Sequence, residues 1–121
     1  MSTFRCLVND VDKAIAFYTK HLGFKVDQQM STAFAKISRG GLQLWLSGPE
    51  SSAARPMTDG RRPISGGWNR FVIEEDDLEN LVKNLKKSGV LFRNEIVIGP
   101  GGKQILLEDP SGNPIELFEP K

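Results

Sequence analysis

Residues 3–47 and 68–119 run through the same order of local patterns, and this internal repeat limits the fold of the 121-residue chain more than any single motif. In the first half, Phe4, Cys6 and Val8 alternate with Thr3, Arg5 and Leu7, the period-two signature of a strand. Val11, Ile15, Tyr18 and Leu22 then recur at helical spacing, with Ala14 beside them and Asp12, Lys13 and Lys20 elsewhere, which predicts an amphipathic helix. Asn9 is the expected cap, Asp12 complements the helix dipole, and Gly23 is the stop. Strands are expected at about 24–29, 32–38 and 42–47. The second half repeats the order: a strand at 70–74, a helix capped by Asp76 with Glu79 at the capping-box position, a stripe of Leu78, Leu81, Val82 and Leu85, a stop at Gly89, and strands at about 91–97, 103–108 and 114–119. Gly99-Pro100-Gly101-Gly102 and Asp109-Pro110-Ser111-Gly112-Asn113-Pro114 mark turns between them. The last strands also match, Leu42-Gln43-Leu44-Trp45 against Ile115-Glu116-Leu117-Phe118 in apolar and polar order.

The expected fold is therefore α+β, two tandem βαβββ modules in a single domain of residues 1–121. Module 1 covers about 3–47 and module 2 about 68–119. The linker between them, 48–67, is rich in Gly, Pro and Ser. A structureless loop of that length is uncommon in a compact domain, so it is either a functional flap or a mobile connection. Lys and Arg total 16 and Asp and Glu 15; so even a balance argues against nucleic-acid and membrane-surface roles. The lone thiol, Cys6, has no partner for an internal disulfide. The N-terminus carries no signal-like apolar core and no apolar run is long enough to span a bilayer, so a cytoplasmic location is expected.

Two segments carry a family resemblance. Val8-Asn9-Asp10-Val11 with Ala16-Phe17-Tyr18 and Leu22-Gly23-Phe24 is similar to the opening of vicinal oxygen chelate proteins, the glyoxalase, bleomycin-resistance and extradiol dioxygenase group. Glu108-Asp109-Pro110-Ser111-Gly112-Asn113-Pro114-Ile115-Glu116-Leu117 resembles their closing segment. The resemblance implies about eight strands in an open barrel-like arrangement around a small-molecule cavity, with helices outside. It then implies that Phe4, Cys6, Val8, Leu42, Leu44, Phe71, Ile73, Ile115 and Leu117 face helices. Thr3, Arg5, Leu7, Gln43, Trp45, Arg70, Val72, Glu116 and Phe118 face the cavity, with Gln104 and Leu106 joining them.

Metal-dependent members of the group place ligands at the start of each module's first strand and in the middle of its last. Here those positions hold Thr3, Gln43, Arg70 and Glu116. Only Glu116 is an ordinary ligand, and a guanidinium at Arg70 repels a cation. No metal or other cofactor is therefore expected. Arg70 and Glu116 are instead expected to pair, either orienting an anionic or carbonyl-bearing ligand or simply filling space.

The expected ligand-binding set is Arg5, Gln43, Trp45, Arg70, Gln104, Glu116 and Phe118. Trp45 and Trp68 offer aromatic surface for a ligand, or plug the site or a subunit contact. Arg55, Arg61 and Arg62 on the linker either close over an anion or stay solvated. His21, the only histidine, is expected at the surface at a helix C-terminus, and Cys6 in the core. The Gly99–Gly102 turn lacks the Gly-Lys-Ser/Thr ending of a phosphate loop. The leading expectation is metal-independent binding or sequestration of a small organic molecule by a homodimer. The alternative is a lyase or isomerase, glyoxalase-type or dioxygenase-like, with Glu116 as catalytic base and Arg70 as electrostatic stabiliser, with or without a divalent metal.

Overall fold

The computed structural model describes residues 1–121 as two compact units, Met1–Gly66 and Gly67–Lys121. The first unit contains β1 (Ser2–Leu7), α1 (Val11–His21), β2 (Lys25–Met30), β3 (Phe34–Arg39) and β4 (Leu42–Ser47). The second contains β5 (Val72–Glu74), α2 (Leu78–Lys87), β6 (Val97–Gly99), β7 (Gly102–Glu108) and β8 (Pro114–Pro120). Each unit is one βαβββ module, as expected, with a four-stranded sheet in the order β1-β4-β3-β2 or β5-β8-β7-β6. In both sheets the first strand pairs parallel to the last, and the remaining pairs are antiparallel. A parallel pair needs a crossover connection, and the module's helix is that crossover's first leg.

Register decides which side chains share a face. Phe4, Leu44 and Ile37 lie in one row across the first sheet, and Cys6, Leu46 and Ala35 in the next. These rows face α1: Val11, Ala14 and Tyr18 are buried, and the Tyr18 hydroxyl lies 3.9 Å from Cys6 Sγ. Phe4 is the exception. It keeps 36% of its surface exposed because β1 is a sheet edge with no strand beyond it. In the second unit Ile73, Leu117 and Ile105 form the equivalent row, with Leu78, Val82 and Leu85 of α2 buried. Burying one such aliphatic side chain is worth about 2 kcal/mol, so a one-residue slip of register would forfeit several of these terms together.

Both helices start one residue later than expected. Asp10, rather than Asn9, caps α1 and accepts from the Lys13 amide at 3.0 Å; Asp77, rather than Asp76, caps α2 and accepts from the Asn80 amide at 3.3 Å. In each case the first helical residue, Val11 or Leu78, is a buried core residue, so packing selects between two adjacent capping candidates. Glu79 consequently falls outside the capping-box position and binds Lys103 at 3.0 Å. Glu119 of β8 takes its place, accepting from the Leu78 amide at 2.8 Å. Gly23 and Gly89 do end the helices, in the left-handed conformation at φ 71° and 85°.

The second unit departs further from the sequence pattern. Its first strand shrinks to Val72–Glu74, leaving Arg70 ahead of it, although the Glu116 amide still donates to the Phe71 carbonyl at 3.1 Å. The strand expected at 91–97 is reduced to Val97–Gly99 plus a single bridge, Phe92 to Leu107. The reason is local: the Asn94 side chain, not a backbone carbonyl, accepts from the Leu106 amide at 2.9 Å. In the closing segment, buried Asp109 accepts from the amides of Ser111 and Asn113 and from Asn113 Nδ2, at 2.8, 3.0 and 3.0 Å. The Asp109 carboxylate thus caps the turn's backbone amides, and the Asn113 side chain holds that carboxylate in place. No helix is long and apolar enough to cross a membrane.

Candidate functional site

The sheet face turned away from α1 is polar and internally bonded. Arg5, Trp45 and Lys36 form one row on adjacent strands β1, β4 and β3. The Arg5 guanidinium and the Lys36 ammonium lie 5.0 and 4.9 Å from the centre of the Trp45 ring, and Phe34 meets it edge-on at 5.9 Å. Trp45 is thus a half-buried holder of two cations from the strands on either side, which leaves its rim rather than its faces for a ligand. The next row is Thr3, Gln43 and Ser38. The Trp45 indole donates to Gln43 Oε1 at 2.9 Å, and Gln43 Nε2 donates to Asp27 Oδ2 at 3.1 Å. Buried Ser38 donates to Asp27 Oδ1 at 3.0 Å. The hydrogen bonds from Gln43 and Ser38 hold the Asp27 carboxyl below its ordinary value, with a smaller contribution from Lys25. Sequence reasoning missed both Lys36 and Asp27. Lys36 was legible as part of an alternating strand; Asp27 was not, because it sits at the β2 irregularity between Val26 and Gln28, where alternation fails.

The second unit presents the matching face. Val72 aligns with Glu116, Leu106 with Glu116 and Gln104 with Phe118, so Gln104, Glu116 and Phe118 share it. Arg70 reaches Glu116 from outside the strand. Its Nε and Nη2 donate to the same oxygen, Oε1, at 3.1 and 2.9 Å, and Nη1 donates to the Trp68 carbonyl at 3.3 Å. Glu116 is 9% exposed, so its carboxylate is largely removed from water, while Arg70 stays partly exposed. The expected Arg70–Glu116 contact is therefore present.

A second arginine, unnoticed in the sequence, organises the entry to this unit. Arg93 donates to Glu108 Oε2 at 2.6 Å, to the Gly67 carbonyl at 2.6 Å and to the Gly112 carbonyl at 2.9 Å. Its guanidinium also lies 4.6 Å from the centre of the Trp68 ring, which is otherwise 68% exposed. Nothing in the periodicity of residues 91–97 signals this, since all four partners are distant in sequence.

The linker belongs mostly to the first unit. It contains a 3-10 turn, Ser52–Ala54, and a loop closed by the Met57 amide on the Arg61 carbonyl at 2.7 Å. Arg61 pairs with Asp59 at 2.8 Å. A cavity of about 210 Å³ lies where residues 62–65 pass the ends of β1 and β4. His21 is half-buried rather than fully at the surface, edge-on to Phe17 at 5.3 Å; burial, and then Lys20, push its pKa below the ordinary value.

The four positions at which related proteins hold a divalent metal fit one poorly. Gln43 Oε1 is engaged by an indole N–H and one Glu116 oxygen by a guanidinium, while Thr3 offers only a hydroxyl. No three His, Cys, Asp or Glu side chains converge into a metal-binding group.

A βαβββ repeat whose two sheets carry their polar residues on the faces away from the helices defines the class to which this chain is structurally related. The chain belongs to the Glyoxalase/Bleomycin resistance protein/Dioxygenase superfamily, whose family model matches residues 2–117. It is 30% identical over 119 residues to a probable chloroplastic lactoylglutathione lyase of Arabidopsis thaliana, covering 93% of this chain but 33% of that protein. The chain thus spans about a third of that curated relative. A superfamily member from Sphaerobacter thermophilus superposes with a TM-score of 0.76 at 28% identity, covering 98% of this chain and 95% of that one. TnmS3, an antibiotic binding protein from Streptomyces sp. CB03234, superposes with a TM-score of 0.73 at 24% identity, covering 98% and 93%.

Proposed function

We propose that this protein binds a small organic molecule without the help of a metal. The observation that carries the reading is the Arg70–Glu116 pair. A guanidinium occupies one of the two Glu116 carboxylate oxygens, and a fixed positive charge in that place opposes a cation. The residues proposed to meet the ligand are Arg5, Gln43 and Trp45 in the first unit and Arg70, Gln104, Glu116 and Phe118 in the second. The likeness to an antibiotic binding protein is compatible with this reading. The proposal includes a homodimer, which a monomer mass by light scattering at micromolar concentration would end.

Elemental mass spectrometry of untagged protein, before and after dialysis against a chelator, tests the reading. Little metal at either stage, with small-molecule binding unchanged by chelator, is the expected result. Near-stoichiometric metal that survives mild dialysis overturns it.

A second reading has one observation of its own, the 30% identity to a lactoylglutathione lyase. In that reading Glu116 acts as general base through Oε2, which accepts no hydrogen bond, while Arg70 stabilises negative charge developing on the substrate. Formation of lactoylglutathione with chelator present, lost in Glu116→Gln, would favour it over simple binding.

A further inference from the structure

The second unit's arginines are neutralised, but Arg5 and Arg62 in the first unit are not. Arg70 and Arg93 are bound to Glu116 and Glu108, and on the linker Arg61 is bound to Asp59. Arg5 and Arg62 make no salt bridge. Arg5 is held by a hydroxyl, donating to Ser47 Oγ at 3.0 Å, and by the Trp45 ring. Arg62 is on the wall of the 210 Å³ cavity, and Ser47, the anchor of Arg5, is on the same wall. Apart from Arg62 that wall contains no charged residue; Leu7, Val8, Pro49, Pro63 and Ile64 make much of it apolar. Lys36, across the Trp45 ring on the neighbouring strand, adds a second cation to the sheet face that carries Arg5. In a chain whose net charge is only +1, this local excess of positive charge beside an apolar hollow is a specific feature.

We propose that this cavity takes the apolar body of a small organic carboxylate, whose charge is held by Arg62 and Arg5. The inference rests on the metal-independent binding reading and names the ligand class. A volume of 210 Å³ falls below the usual range for drug-sized ligands, about 300–1,000 Å³, and so selects a compact acid of one or two rings. Arginine suits the task because its planar fork matches the two oxygens of a carboxylate. The guanidinium of Arg5 is already oriented by Ser47 and Trp45, so less side-chain freedom is lost on binding. The structure also separates the linker arginines. Arg61 is spent on Asp59, whereas Arg62 beside it in sequence faces the hollow.

The test compares 1-naphthoate with its uncharged isostere 1-naphthamide by titration calorimetry on the full chain in chelator. Naphthoate is expected to bind about tenfold more tightly or better, the equivalent of one charge-assisted hydrogen bond. Arg62→Gln and Arg5→Gln should each weaken naphthoate about five- to tenfold and leave naphthamide unchanged. Arg61→Gln serves as the control and should bind like the unaltered protein. In nitrogen–proton correlation spectra the Trp45 indole signal should move on naphthoate addition, more than that of Trp68. Because Arg5 and Arg62 are exposed, their variants should fold, and an unchanged melting curve checks this. Equal affinity for acid and amide overturns the proposal, as does wild-type naphthoate affinity in both arginine variants or no naphthoate binding up to about 10 mM. Binding that persists in chelator but ignores charge sinks this inference alone. Binding abolished by chelator sinks the metal-independent reading beneath it.

Discussion

Replacing Arg70 by methionine should destabilise the protein by about 2 kcal/mol, and by more than replacing Glu116 with leucine does. Removing one partner of a fully buried ion pair typically costs about 3–5 kcal/mol, because the other charge is left without compensation. Here the side chains are 28% and 11% exposed for Arg70 and Glu116, so water relieves part of that cost. The asymmetry follows from the same two figures. Without Arg70, a carboxylate with little access to water loses both hydrogen bonds to Oε1. Without Glu116, the more exposed guanidinium keeps its bond to the Trp68 carbonyl and can extend toward solvent, for a cost of about 1 kcal/mol. The double variant Arg70→Met, Glu116→Leu puts two apolar side chains in contact and should cost about 1 kcal/mol or less, giving a coupling of about 2 kcal/mol. Urea unfolding followed by circular dichroism measures all three values. At an unfolding entropy of about 2.1 cal/mol/K per residue, the Arg70→Met loss corresponds to about 8 °C in melting temperature if the chain unfolds in one step. Additive single variants, or a larger loss for Glu116→Leu than for Arg70→Met, would refute the burial argument.

Three further outcomes follow from the geometry. His21 has a pKa held below 6.5 by burial, so the folded state binds fewer protons than the unfolded one; its contribution is present above about pH 6.5 and is lost as pH falls through the lower folded value. The drop in melting temperature on acidifying through this window should shrink in His21→Gln. Gln43→Leu removes the largest cause of the Asp27 shift, so the Asp27 carboxyl should titrate closer to 3.8 in an NMR titration, and an unmoved value would separate Asp27 from Gln43. Arg93→Met breaks the bonds to Glu108, Gly67 and Gly112 and uncovers one face of Trp68, at a cost of about 2 kcal/mol; in a Trp45→Phe background the fluorescence anisotropy of Trp68 should fall, and an unchanged anisotropy would mean the indole is held by other contacts.

The module order was legible because hydrophobic period is a local property. A strand alternates and a helix recurs near every fourth residue whatever lies across from it, so the two βαβββ repeats and their glycine stops stood out along the chain. The pairing of Arg70 with Glu116 was expected from the family resemblance, which puts both residues at positions where metal-dependent relatives hold an ion and so turns them toward one centre. Element ends were less legible. Asn9 and Asp10, or Asp76 and Asp77, are equally good caps in isolation, and only the burial of Val11 and Leu78 chose between them. The strand expected at 91–97 had the right composition, but Asn94 spends its side chain on the Leu106 amide and breaks the ladder.

Tertiary structure alone decided the state of most of the charges. Arg5, Arg62 and Arg93 carry the same group, and in sequence nothing separates them from Arg61 or Arg70. Folding sets Asp59, Glu116 and Glu108 against Arg61, Arg70 and Arg93, and leaves Arg62 on the wall of an apolar hollow and Arg5 on the Ser47 hydroxyl of that wall. Periodicity along a chain reports which side a residue faces. The distance to an opposite charge two strands or forty residues away depends on register, irregularities and turns, and these are decided only when the whole unit packs.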